Sequence, residues 1–305
     1  MVKYKKNGVK KMVDVKEIKS VKLTPFTKMS ALIAGILGLI AAVVLLIVLT
    51  IVQATGAIPN LGSFNVITGI GLPLIILLPI GAFFITIASS FFSIILYNAL
   101  VPRLGGVKLG LDGTEVANIP VVAYALILSA IGAIWAFIAG LVLAAIISPI
   151  FSAAGSLPDL TNITANITSA TGSTLPSSAG FGAMGIILSI ALIIGLPILV
   201  FVFGFIGHAL VAIFYNFLVT RVAKINLEFA AISETLHELK HIPVLQTALA
   251  VAIVFAIMGL ITGVLSGNYT QFISNFVSYF VETALIAILY NYLAPKIGSI
   301  KLNLE

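Results

Sequence analysis

Four polar residues of the last apolar run could do chemistry inside a membrane. They recur at a spacing of three or four, which places them on one face of a helix: Gln271, Asn275, Ser278 and Glu282. Glu282 precedes Tyr290 by eight residues, or about 12 Å along a helix, and is therefore expected near mid-bilayer. An ionisable side chain at that depth is costly and usually faces a partner or a water-filled cavity.

Two earlier apolar runs carry polar groups in the same register. Ser89 and Ser90 in the second run, and His208 in the fourth, align with Glu282 and Thr283. If three helical hairpins pack about a pseudo-threefold axis, Ser90, His208 and Glu282 approach one another. This predicts a proton or small-cation site in which Glu282 binds and His208 assists, with these members: Glu282, His208, Ser89, Ser90, Asn275, Ser278 and Thr283.

The same residues also fit ordinary helix packing. Glu282 would then be protonated, or hydrogen-bonded to His208, and would join helices, while the serines would be small packing residues. Packing is the preferred interpretation because the polar positions differ in kind between runs. No ring of charge marks an entrance, and no substrate motif is present.

The histidines form one further pattern. His237, Glu238 and His241 spell H-E-x-x-x-H, one residue longer than the zinc-protease motif. The histidines would share a helix face, but His241 falls where a strand is expected, and a third ligand would have to come from elsewhere. No cysteine, phosphate loop, nucleophile elbow or carboxylate pair accompanies them. We predict no metal, no cofactor and no enzymatic activity.

Composition places these residues in a membrane protein. The chain is 60% hydrophobic and 9% charged, whereas about a quarter of the residues of a soluble domain are charged. Pro197, inside the fourth apolar run, is expected to kink it or to begin it in a non-helical form. Six runs reach or approach the length of a membrane span: 29–52, 70–96, 121–147, 184–214, 245–265 and 272–290.

The chain reads as three copies of one unit. A glutamate opens a short segment before each copy, and Tyr-Asn closes its second apolar run: Tyr97-Asn98, Tyr215-Asn216 and Tyr290-Asn291. The predicted fold is an all-α membrane protein of six transmembrane helices in three pseudo-threefold hairpins, flanked by short cytoplasmic β-strands. Its parts are a basic arm and three repeats, the second with a long outer loop at 148–183: 1–16, 17–111, 115–229 and 238–305.

Alternating polarity predicts the closing strands at 107–111, 225–229 and 300–304. Asp112-Gly113 predicts a hairpin to the second opening strand. For segment 233–240 the sequence is compatible with either a strand or a short helix.

Four prolines border these strands. Pro102 and Pro295 are expected to end their helices. Pro120 and Pro243 are expected to confine their strands to edges or bulges.

Charge predicts the orientation. Nine lysines precede Ser30, and the other seven basic residues lie where copies join or end. Both termini are therefore expected in the cytoplasm of a cell-membrane protein, with the three repeated tyrosines in the inner aromatic belt. The basic arm is expected to contact anionic lipid head groups, and nucleic acid is not expected as a partner. Candidate glycosylation sites lie on the opposite side: Asn162, Asn166 and Asn268.

The repeated ends resemble an uncharacterised transmembrane domain family of actinobacteria and archaea. In that family a helical hairpin ends in Tyr-Asn, a Gly-Gly or similar pair, and a short strand. Gly105-Gly106 fits the pattern, whereas Ala223-Lys224 and Gly298-Ser299 depart from the glycine pair. The resemblance implies a membrane-embedded hairpin module and no particular activity.

The function predicted from the sequence is a non-enzymatic membrane scaffold or interaction subunit, with a protein partner or a second copy of the chain. The alternative is a channel or transporter for protons or a small cation that uses the Glu282 and His208 site.

Overall fold

The computed structural model describes residues 2–6, 9–55, 69, 71–156 and 178–305. Within these ranges the chain is mostly helical, and six helices are long and apolar enough to cross a membrane. Six such helices are compatible with the predicted multi-pass membrane protein. The term all-α is incomplete, because the short strands form one antiparallel sheet.

The six helices are numbered in chain order. Helix α4 is continuous from 178 to 222 but contains two π-helical stretches, Ala191–Gly195 and Tyr215–Val219. Its α-helical parts are Ser178–Ile190, Leu196–Phe214 and Thr220–Val222. The others are α1 Leu23–Ala54, α2 Leu72–Leu104, α3 Val121–Ser156, α5 Val244–Ser266 and α6 Gln271–Ile297.

Pro197 lies directly after the first π-helical stretch. Proline has no N–H to donate and its ring crowds the carbonyl four residues earlier, and wider π turns commonly relieve such conflicts. The predicted irregularity is therefore present, although the helix is not interrupted.

The prediction that Pro102 and Pro295 end their helices is wrong. Helix α2 continues to Leu104 and α6 to Ile297. A proline has no backbone N–H and crowds the preceding turn. The N–H groups of the residues after it can still donate helical hydrogen bonds. Each helix ends instead at a glycine with positive φ, Gly105 at 80° and Gly298 at 97°.

Seven strands form the sheet, and every pairing is antiparallel. The order is β4-β3-β2-β7-β6-β5, and β1 pairs with the outer half of β2. The strands are β1 Val2–Lys6, β2 Val9–Val21, β3 Lys108–Asp112, β4 Glu115–Asn118, β5 Glu228–Ala231, β6 Leu236–His241 and β7 Lys301–Leu304.

The two ends of this row of strands are joined. The backbone N–H of Val116 donates to the carbonyl of Ile225 at 2.8 Å, and that of Leu227 donates to Thr114 at 2.9 Å. These bonds connect β4 to the residues just before β5. Strands β2 to β7 therefore form a closed ring, with β1 outside it.

The ring settles several expectations about its strands. The hairpin at Asp112-Gly113 is confirmed, with Gly113 at a φ of 67°. Segment 236–241 is a strand rather than a helical turn. The prediction for Pro120 and Pro243 is supported, because β4 and β6 each have a bulge shortly before the proline, at Ala117 and Lys240. Both prolines follow their strands and directly precede helices α3 and α5. There the missing N–H is harmless, since the first helical N–H groups have no helical partner.

The two faces of the ring differ in polarity. Cross-strand partners share a face and successive residues alternate, so the pairings define two sets. The apolar set consists of Ile18, Val107, Leu109, Leu111, Val116, Ile225, Leu227, Phe229, Leu239, Ile300, Leu302 and Leu304. The opposite set includes Glu17, Lys108, Glu115, Asn226, Glu238, Lys301 and Asn303. The same register places Asp14, Lys16 and His237 opposite Leu111, Leu109 and Leu302, on the face of the apolar set. The apolar members are buried or half-buried, as expected for the inner face of a closed sheet, so that face is mainly but not wholly apolar.

Contacts divide the chain into two compact units, Met1–Tyr124 with Val211–Glu305, and Ala125–Leu210. In the first unit, α1 packs against α2 and α6, and α5 packs against α6 and the second π-helical stretch. Ring residues join two apolar clusters with these helices, for example Leu239 with Met29 and Val116 with Val219. In the second unit, α3 approaches α4 closely, with Gly140 against the carbonyl of Leu192.

Candidate functional site

The three repeated asparagines bind the residue that ends, or directly follows, the strand that opens their own copy. Each side-chain Oδ1 accepts from the backbone N–H of that residue, and each Nδ2 donates to its carbonyl. The strand therefore ends with both backbone groups satisfied, just before the helix begins. The pairs and their two distances are Asn98 with Val21 (2.9 and 2.9 Å), Asn216 with Ile119 (2.8 and 2.7 Å) and Asn291 with Ile242 (2.9 and 2.7 Å).

The neighbouring tyrosine is inserted between two strands. Ile18 N–H donates to the carbonyl of Val107 at 2.9 Å. The return bond of a regular antiparallel pair is replaced by the Tyr97 hydroxyl. That hydroxyl donates to the Ile18 carbonyl at 2.7 Å and accepts from Val107 N–H at 3.0 Å.

The other two tyrosines make the same three-way contact. Tyr215 stands between Val116 and Ile225, with distances of 2.7 and 3.4 Å. Tyr290 stands between Leu239 and Ile300, with distances of 2.5 and 3.2 Å. We call each Tyr-Asn pair with its bonded strand residues a Tyr-Asn clamp. The clamps fasten the end of each second helix to both strands of its copy.

The clamp tyrosines are not an aromatic belt. Tyr97, Tyr215 and Tyr290 are only 7%, 4% and 1% exposed, so the expectation that they face the membrane interface is wrong. The sequence places them correctly at the helix end. Each hydroxyl reaches two strand backbone groups that would otherwise be unpaired, and this burial outweighs the interfacial preference of tyrosine.

Glu17 supports the first clamp and was not among the predicted site residues. Its Oε1 accepts from Gly106 N–H at 2.7 Å, and Lys19 and Lys108 lie 3.3 and 3.8 Å from Oε2. Burial by itself would raise the pKa of Glu17, but the Gly106 N–H and the two lysines outweigh it and hold the pKa below its usual value. The signal in the sequence was the glutamate that opens each copy.

The equivalent glutamates have different partners. Glu115 binds the ammonium group of Lys224 at 2.6 Å, and Glu238 binds that of Lys240 at 2.5 Å. The three copies therefore share a carboxylate at this position but satisfy it in three ways.

The polar stripe of α6 divides into two parts. Thr262 donates to the Gln271 side chain at 2.7 Å, and Asn275 donates to the Phe255 carbonyl at 3.3 Å, so both join α6 to α5. Ser278 and Glu282 are exposed, and Thr283 is half-buried.

The serines and the histidine of the predicted cation site make hydrogen bonds within their own helices. Ser89 and Ser90 donate to the Thr86 carbonyl of their own helix, at 3.4 and 2.5 Å. The Nδ1 of His208 lies 2.7 Å from the Gly204 carbonyl, also in its own helix. His208 belongs to the second unit, whereas Ser90 and Glu282 belong to the first.

The histidine motif lies on strand β6 rather than on a helix. His237 and His241 are therefore about 13 Å apart along the strand. His237 contacts the Thr235 carbonyl at 3.0 Å, and His241 lies 3.9 Å from Glu228. Across the part of the chain that the structure describes, no group of three His, Asp or Glu side chains could hold a metal ion.

One candidate glycosylation site can be placed. Asn268 is exposed between α5 and α6, and its Oδ1 accepts from the Thr270 hydroxyl at 2.7 Å. Asn162 and Asn166 lie outside the described residues.

Comparison with protein-family models, with curated proteins and with solved structures finds no match. The most regular arrangement in the described residues is the set of three Tyr-Asn clamps, whose groups are bonded to backbone and have no free reactive atom.

Proposed function

We propose that this chain is a non-enzymatic, multi-pass protein of the cell membrane that acts as a scaffold or interaction subunit for a protein partner or a second copy. Its core is three repeats, each a helical hairpin clamped to two strands of the ring. The support for triplication is that the same atoms make the same bonds at three equivalent places. The order of the strands around the closed ring, in which the two strands of each copy are neighbours, supports the pseudo-threefold part of the proposal.

The filled ring of strands carries this proposal. A ring of eight strands is just wide enough for side chains to fill it, and six strands leave less room. Twelve apolar side chains share its inner face with Asp14, Lys16 and His237, and several of the apolar ones pack against α1, α5 and α6. An axial path between the helices would be blocked there, which favours a scaffold over a channel.

The orientation is a testable part of the proposal. With the ring in the cytoplasm, a cysteine replacing Lys108 should resist an impermeant maleimide in intact cells, and a cysteine replacing Asn268 should react. The chain contains no cysteine, so each label reports one position. Labelling at residue 108 with protection at residue 268 would show that the orientation is the opposite of the one proposed. Permeabilised cells are the control, because there both cysteines should react.

A proton or small-cation carrier is the second candidate, and one observation favours it. Glu282 has neither a hydrogen bond nor an ion pair within the described part of the chain. It is exposed in the middle of α6, where an unpaired carboxylate usually serves a water-filled cavity or a partner.

Flux through liposomes separates the two candidates. We expect the parent protein to pass neither protons nor Na⁺ or K⁺ over a range of pH and voltage. We also expect Glu282→Gln to leave its thermal stability nearly unchanged, because the amide keeps the shape of the side chain.

A flux in the parent that Glu282→Gln abolishes would overturn the scaffold proposal. His208→Ala should then shift the pH dependence of that flux, since histidine titrates near neutral pH. Ser274→Ala is the matched control, because Ser274 is also exposed on α6, lies outside the predicted site and carries no titratable group.

A further inference from the structure

A polar cleft opens beside the third Tyr-Asn clamp. Its volume is about 400 Å³. It lies where the end of α6 meets strand β6, at the junction of the membrane helix and the ring. Its lining is Glu238, Lys240, Asn291, Ala294, Pro295, Gly298 and Ser299.

The first copy has its own side chain at the equivalent place. There Glu17 turns inward and accepts the N–H of Gly106, the residue that aligns with Ser299. In the third copy Glu238 pairs with Lys240, as Glu17 pairs with Lys19 in the first, and both third-copy residues line the cleft. Among the described hydrogen bonds, Glu238 makes none to the Ser299 N–H that would match the bond of Glu17 to Gly106 N–H.

One lysine lines the cleft, and two more follow or pair with its lining residues. Lys240 lines it with 53% of its side chain exposed. Lys296 follows the lining residue Pro295, is exposed, and holds its ammonium nitrogen 3.4 Å from the centre of the Tyr292 ring. Lys301 is the cross-strand partner of Glu238. Three ammonium groups therefore accompany a single carboxylate.

An apolar surface begins at the same point. Tyr292 is 59% exposed and Ile288, one turn earlier on α6, is 50% exposed. A ligand with a phosphate and hydrocarbon chains could place the phosphate among the lysines and its chains along this helix. A free phosphate would use only the charged part.

We propose that this cleft binds the phosphate of an anionic phospholipid, with Lys240 and Lys296 as its charged partners and the acyl chains lying along Tyr292 and Ile288. The site rests on the proposed placement of the ring at the membrane surface. It is distinct from the basic arm, which is expected to attract anionic lipid without a defined cleft.

Native mass spectrometry of the full chain, released from nanodiscs of mixed phosphatidylglycerol and phosphatidylcholine, tests the site. We expect the parent to retain phosphatidylglycerol selectively. Lys240→Gln with Lys296→Gln should weaken that retention about thirtyfold, since each lysine at a membrane surface contributes roughly a fivefold change in affinity. Glu238→Gln should strengthen retention, because it removes the repelling carboxylate.

The first copy supplies matched controls. Lys19 and Arg103 occupy the positions of Lys240 and Lys296, but Glu17 covers the Gly106 N–H there. Lys19→Gln with Arg103→Gln should therefore retain lipid like the parent. Equal loss of retained lipid in both double variants would mean that general surface charge, and not the cleft, holds the lipid. Inorganic phosphate that the parent retains as well as it retains phosphatidylglycerol would overturn the lipid assignment.

Two failures can be told apart. A parent that enters nanodiscs but retains both lipids equally would disprove the cleft and leave the proposed membrane scaffold intact. A parent that never enters a bilayer would disprove both.

Discussion

Replacing Tyr97, Tyr215 and Tyr290 together by phenylalanine should leave a protein that cannot keep its ring of strands closed. Each replacement removes a hydroxyl that satisfies one strand carbonyl and one strand N–H in a buried place. An orphaned buried group costs about 1–3 kcal/mol, so one clamp would lose about 2–6 kcal/mol. The three losses together reach the whole stability of an ordinary domain, about 5–15 kcal/mol.

The measurement is the fraction of monodisperse protein that survives heating in detergent, followed by size-exclusion chromatography. Each single variant should lose its monodisperse peak at a clearly lower temperature, and the triple variant should yield little or none. Tyr269→Phe is the control, since Tyr269 is 68% exposed and should melt like the parent. Single variants that all match this control would mean that the clamp hydroxyls are dispensable.

Gly106→Ala should be nearly as damaging although it adds only one methyl group. A Cβ at residue 106 would overlap the carbonyl oxygen of Ile18, and it would also crowd the Tyr97 hydroxyl at 3.1 Å. That carbonyl accepts the clamp bond, so relieving the overlap requires moving the strand away from Tyr97. Overpacking alone costs about 1–3 kcal/mol, and the disturbed clamp adds to it.

Gly81→Ala provides the matched comparison for Gly106→Ala. Gly81 lies inside helix α2, and a Cβ there would meet no atom within 4 Å. Because alanine favours a helix over glycine by about 1 kcal/mol, this variant should melt at or above the parent temperature. If the two variants melted together, the close approach of Gly106 to Ile18 would not matter to stability.

The sequence by itself determined the local elements. Six helices follow from six long apolar runs, since a bilayer requires every backbone group in such a run to be bonded within the helix. The strands at 107–111 and 300–304 follow from alternating polarity, because successive side chains of a strand point to opposite faces. The repeated Tyr-Asn pair marked the ends of the second helices without showing what the side chains would bind.

Only the tertiary structure decided which backbone groups meet. Ring closure pairs Ile18 with Leu304 and Val116 with Ile225, and pairing between such distant residues depends on register, which no local pattern encodes. The same dependence explains why the clamp tyrosines are buried. Each hydroxyl bonds two strand backbone groups that register brings beside it, and these bonds outweigh the preference of tyrosine for the membrane interface. It also explains Glu17 and Gly106. A carboxylate 89 residues away from an amide in the chain becomes its hydrogen-bond partner only after the ring has placed β2 beside β3, because side-chain chemistry acts over a few ångströms and the fold alone sets those distances.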